Sequence, residues 1–207
     1  VILPGIVLVV MVRPDPKEIA ANLGKYYPGY TPASEGGNGG AGGGGFTAFL
    51  RHYPKQVAFV SSLAVQGNMA MMMAMTALVL SHHGHPLSHI SIAVSIHVIG
   101  MFGFSLPLGR LADRLGRRAV LMAGLVLAGG GSVLVPVTSS YWTITAGIFL
   151  VGVGWSCVNV AATALIADTT LPAERGRAIG ANDSISSAGA ILLPLAAGPM
   201  VEEGTPN

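Results

Sequence analysis

The sequence predicts an all-α integral membrane protein: a helical bundle with about five complete membrane-spanning helices and the end of a sixth. Three observations predict it. Charged residues make up only 10% of the 207-residue chain and apolar residues 51%, with a mean hydropathy of +0.62; a soluble domain carries about 25% charge. Apolar runs of 19 residues or more recur, and a 19-residue helix is roughly 30 Å long, the thickness of a bilayer core. All 11 Lys and Arg fall in three polar stretches between those runs.

Residues 1–12 (VILPGIVLVVMV) form an apolar run too short to span, read as the end of a truncated helix. Pro14 and Pro16 stop it, since each removes a backbone donor and clashes with the turn before it. Residues 13–56 form a polar linker with an almost all-Gly tract at 36–45, which behaves as flexible coil. Short helices are expected at 17–23 and 47–53. The chain opens inside an apolar run without Met and ends without a closing helix, as expected of a fragment. No signal peptide is expected in the opening run. Its single Cys157 lies in an apolar run, so no internal disulfide forms.

The bundle is expected over 57–201, with spans at 57–80, 90–108, 119–137, 142–167 and 179–200 and a polar, non-cytoplasmic tail at 202–207. Alternating spans place the linker cations (Arg13, Lys17, Lys25, Arg51, Lys55), the arginines at 110–118, and Arg175 with Arg177 on one face. The positive-inside rule makes that face cytoplasmic. The SHHGHPLSH hairpin at 81–89, the turn at 138–141 and the tail carry no Lys or Arg and lie on the other face.

The hairpin between the second and third spans reads Gly109-Arg110-Leu111-Ala112-Asp113-Arg114-Leu115-Gly116-Arg117-Arg118. Its pattern G-x-L-A-D-R-x-G-R-R-x-x-L resembles the signature loop of the major facilitator superfamily of secondary transporters. A second stretch, Pro172-Ala173-Glu174-Arg175-Gly176, resembles the superfamily's loop between the fourth and fifth helices of a half. The resemblance implies helices seven to eleven of twelve, with the linker joining two six-helix halves and the N-terminal half lying outside this chain. It also implies alternating access, with no cofactor and no enzymatic activity.

The expected gating residues are Gly109, Asp113, Arg114, Gly116 and Arg117. The glycines allow tight turning, and Asp113 can oppose a helix N-terminus. Arg117 can pair with a carboxylate at the cytoplasmic end of a neighbouring helix. In the second loop the expected residues are Asp168, Glu174, Arg175 and Gly176, with Asp168 and Glu174 as local partners for the arginines. Arg110 and Arg118 read equally well as purely topogenic cations.

Polar side chains inside spans are expensive in lipid and tend to face a cavity. Gln66, Asn68, Met72, His97 and Asn159 are therefore the substrate-pathway candidates. His97 can carry a proton or bond a neighbouring helix. Asp183 reads either as an acid complementing the dipole of a first helical turn or as a coupling acid. His82, His83, His85 and His89 invite a metal site, and with it a membrane metalloenzyme as a distant alternative. Their isolation on the non-cytoplasmic face argues against that. The expected partners are the lipid bilayer, a small-molecule substrate and a proton gradient, with no nucleic acid, in a bacterial inner membrane. The expected function is proton-coupled efflux of a small hydrophobic or weakly polar compound, with uptake by symport as the alternative.

Overall fold

The computed structural model describes Asn22, Lys25, residues 53–171 and residues 174–203, the side chains of 196–203 excepted. The expectations for residues 1–12, for the linker up to residue 52 with its two short helices, and for 204–207 lie outside the described residues. Only Asn22 and Lys25 are described there, and the Lys25 amide donates to the Asn22 carbonyl at 2.9 Å.

The helices are α1 (Tyr53–His82), α2 (Leu87–Phe102), α3 (Ser105–Leu115), α4 (Arg117–Leu134), α5 (Tyr141–Asp168) and α6 (Arg175–Glu203). Helices fit a lipid setting because each satisfies its own backbone groups internally. Among the described residues, four segments are long and apolar enough to cross a membrane: α1, α2 with α3 taken together, α4 and α5. The fifth expected span lies within α6, which has the length at 29 residues. Its helix also continues to Glu203, where a polar tail was expected from residue 202.

Two local features differ from the sequence reading. The expected signature loop is mostly helix. Gly109 to Leu115 complete α3, and the reversal into α4 rests on Gly116 at φ +90°. Leu108, Ala112 and Leu115 recur at helical spacing between good helix formers, which outweighs the loop-like Gly and Arg content. Gly116 adopts a backbone conformation that costs any residue with a Cβ. The second expected span is also broken, between Phe102 and Ser105. Pro107 has no N–H for the carbonyl four residues back, Gly103, and its ring crowds that carbonyl. Pro107 then sits in the first turn of α3, where no donor is needed.

Helix α5 runs through the centre of the bundle and packs on α4, α2, α1 and α3. Its seam with α4 is glycine on glycine: Gly131 against the Gly147 carbonyl, and Gly124 against the Gly154 carbonyl, where an added Cβ would lie 2.8 Å from that oxygen. Without a hydrophobic force between helices in lipid, such close backbone approach is what packs them. The α1–α6 seam is reciprocal. Leu193 fills the space beside Gly67, and Leu63 fills that beside Gly189. Gly129 and Gly130 face open space.

Candidate functional site

Two polar assemblies stand out in a largely apolar bundle, one at a helix end and one inside. At the end, the turn at Gly116 projects Arg117 onto three acceptors. Its Nη2 meets Asp113 Oδ1 at 2.9 Å, its Nε donates to Asp168 Oδ2 at 2.9 Å, and its Nη1 donates to the Ala112 carbonyl at 3.1 Å. One planar guanidinium thus ties the last turn of α3, the start of α4 and the last residue of α5. Beneath it, buried Ala112, Leu121 and Ile166 share an apolar cluster that holds the three helices in register. Arg175 donates from Nε to the Ala167 carbonyl at 2.8 Å and the Thr170 carbonyl at 3.3 Å. It thereby satisfies carbonyls that the end of α5 leaves open. Glu174 acts electrostatically on Lys55 at the start of α1. The cation-bearing ends of α1, α3, α4 and α6 therefore meet at one end of the bundle, with Asp168.

The opposite end gathers His85, His89 and Tyr141, whose rings lie 5.2 to 5.9 Å apart. The Tyr141 hydroxyl donates to the His89 carbonyl at 3.0 Å. His82 and His83 are exposed. Among the described residues no group of three or more His, Cys, Asp or Glu side chains is placed to hold a metal ion.

The interior assembly is a cavity of about 250 Å³ between α1, α5 and α6, lined by Ser62, Val65 and Gln66, by Trp155 and Asn159, and by Asn182, Asp183, Ser186 and Ser187. These positions recur at helical spacing, so each helix presents one face to the space. The Trp155 indole N–H donates to Gln66 Oε1 across the α1–α5 seam. Asn182 Nδ2 approaches Asp183 Oδ1 at 3.4 Å. Ser62, Asn182 and Ser186 are each more than nine-tenths buried, yet Ser62 Oγ, Asn182 Oδ1 and Ser186 Oγ have no hydrogen-bond partner. Buried polar atoms normally find one. Asn159 precedes the end of α5 by nine residues, and Ser62 follows the start of α1 by nine. Both therefore lie about 13 Å from the arginine end, close to mid-bilayer depth.

Of the sequence candidates, Gln66, Asn159 and Asp183 come together at this cavity. Asn68 instead accepts from the Ser132 hydroxyl of α4 at 2.9 Å. Met72 packs in an apolar cluster with Leu80, Ala93 and Ile148. His97 is buried, and its Nδ1 bonds the Ile148 carbonyl of α5 at 2.6 Å. Because α6 begins at Arg175, Asp183 lies eight residues in, beyond the first turn. The first-turn dipole reading therefore fails, since that effect is confined to the terminal turn. Trp155, Asn182, Ser62, Ser186 and Ser187 are cavity residues the sequence reading missed. The i, i+4 pairing of Trp155 with Asn159 and of Asn182 with Ser186 was the available signal.

A sequence model of the Major Facilitator Superfamily matches residues 57–205. The chain belongs to this superfamily. It is 32% identical over 188 residues to the uncharacterized MFS-type transporter YdeG of Bacillus subtilis (strain 168), covering 87% of this chain and 41% of that protein. It is 32% identical over 117 residues to the riboflavin transporter RfnT of Brucella anthropi, covering 56% of this chain and 29% of that protein. It is 31% identical over 108 residues to the multidrug resistance protein MdtL of Escherichia coli, covering 52% of this chain and 28% of that protein. The chain thus spans less than half the length of these relatives. With its apolar helices, superfamily membership makes it an integral membrane protein of a transporter family, and these relatives are named as transport or drug-resistance proteins, not as enzymes.

Proposed function

We propose that this chain forms one half of a secondary active transporter that works by alternating access and exports a small organic compound in exchange for protons. The cavity carries this reading. It is polar, lies near mid-depth, and is bounded by three helices of this half alone, leaving the second half to close it. Transporters of this architecture bind substrate near the midplane between repeats. Asp183, on the cavity wall, is the proposed coupling acid, because proton binding and solute binding there would compete for one carboxylate.

The arginine end is the proposed cytoplasmic face, in a bacterial inner membrane. Arg117, with Asp113 and Asp168, is the proposed latch that helps hold that face closed and rearranges when it opens. A relative named a multidrug resistance protein favours efflux, and another relative is named a riboflavin transporter. The deciding experiment is a resistance and uptake screen of the full-length gene with and without a proton gradient. Solute leaving the cell against its gradient, and only while the proton gradient stands, is expected. Gradient-independent movement would remove the coupling, and proton-driven accumulation inside would make the protein an uptake symporter.

A further inference from the structure

We infer that the cavity between α1, α5 and α6 selects its solute by charge and hydrogen-bond direction, admitting neutral or cationic compounds that carry N–H or O–H donors and rejecting anions. This rests on the reading of that cavity as the solute site. The argument is an inventory of its lining. Asp183 can only accept hydrogen bonds when ionised, so the neighbouring Asn182 amide must turn its NH₂ towards it. That fixes Asn182 Oδ1 facing away from Asp183, where it is buried and without a partner. Trp155 can only donate, so Gln66 must turn its oxygen to the indole.

The other buried unpaired groups are the hydroxyls of Ser62 and Ser186, each able to donate or accept, while the Gln66 NH₂, Asn159 and Ser187 also border the space. Among the described residues the lining holds one acid and no Lys, Arg or His. A ligand donor would satisfy Asn182 Oδ1, and a positive charge would meet the Asp183 carboxylate. An anion would meet the Asp183 carboxylate with no cation among the described lining residues to offset it, and an acceptor placed at Asn182 Oδ1 would be repelled. Repulsive pairings of this kind give specificity. The volume, just under the roughly 300 Å³ at the small end of ligand pockets, suits one ring with a polar substituent.

Benzamidinium, benzamide and benzoate share one shape and differ in charge and donors. Their binding to the purified full-length protein in detergent, followed by ligand-observed NMR, tests the inference. Benzamidinium is expected to bind tightest and benzamide next, with benzoate at least about tenfold weaker, the scale of one hydrogen bond to a charged group. Asp183→Asn, an isosteric change at an exposed position, is expected to narrow the gap between benzamidinium and benzamide. Ser62→Ala with Ser186→Ala is expected to weaken both. Benzoate binding as well as benzamidinium, binding of none of the three, or an unchanged order in Asp183→Asn would overturn the inference. Proton-driven flux measured on the same preparations separates the two readings: intact flux with benzoate preferred sinks the selectivity alone, whereas absent flux sinks the transporter reading.

Discussion

Arg117 holds two carboxylates and a carbonyl with one side chain, and both carboxylates are more than half exposed. Ion pairs in that setting contribute about 0.2–1 kcal/mol each. Arg117→Ala is therefore expected to leave membrane insertion intact and to lower transport about fivefold to tenfold, if the two contacts sum to roughly 1–1.5 kcal/mol in one state of the cycle. Arg117→Lys keeps the charge but not the planar fork, so flux between the two is expected. Normal flux in Arg117→Ala would remove the latch. At this scale the sequence was partly legible. Gln66, Asn159 and Asp183 stood out as polar groups in apolar runs, and Asp168 was named as a local partner for the arginines. Ser62 and Ser186 did not stand out, because a helical serine usually bonds a carbonyl of its own preceding turn, as Ser91, Ser95 and Ser184 do here. Only packing shows that these two do otherwise.

The elements set where those side chains can be. The break between α2 and α3 comes from Pro107. Pro107→Ala supplies the missing N–H and is expected to make the two helices continuous. Hydrogen exchange in detergent checks it: the new amide at residue 107 should be protected to the level of the Leu108 amide, which already donates to the Phe104 carbonyl at 2.9 Å. An unprotected amide would place the cause of the break elsewhere. The glycine seams make a paired prediction. A side chain at Gly131 would meet the Gly147 carbonyl, so Gly131→Val is expected to cost about 1–3 kcal/mol by overpacking. Gly129→Ala, facing open space, is expected to gain roughly 0.5–1 kcal/mol. Unfolding in detergent measures both, and equal effects would contradict the seam. The sequence alone does not assign Gly129, Gly130 and Gly131 to faces, because three in a row occupy most of a turn. The helical course of residues 109–115 was hidden by a composition that suits loops.

Across the whole molecule, apolar side chains such as Val126, Leu106 and Leu192 lie exposed, which suits a surface bathed in lipid or covered by the rest of a transporter. The helical membrane bundle was readable because bilayer thickness imposes a common length on apolar spans. The cavity was not readable as a cavity. It needs α1, α5 and α6 in contact, and their positions along the chain do not give that contact. Alternating access is the central claim, and it can be tested without knowing the solute. With Cys157→Ser as background, Asn159→Cys places a thiol on the exposed cavity wall of the full-length protein. Its labelling by a membrane-impermeant reagent is then followed in right-side-out and everted vesicles. The account expects labelling from both sides, with the two rates shifting in opposite directions when a proton gradient is imposed. Labelling from one side only, whatever the gradient, would contradict it.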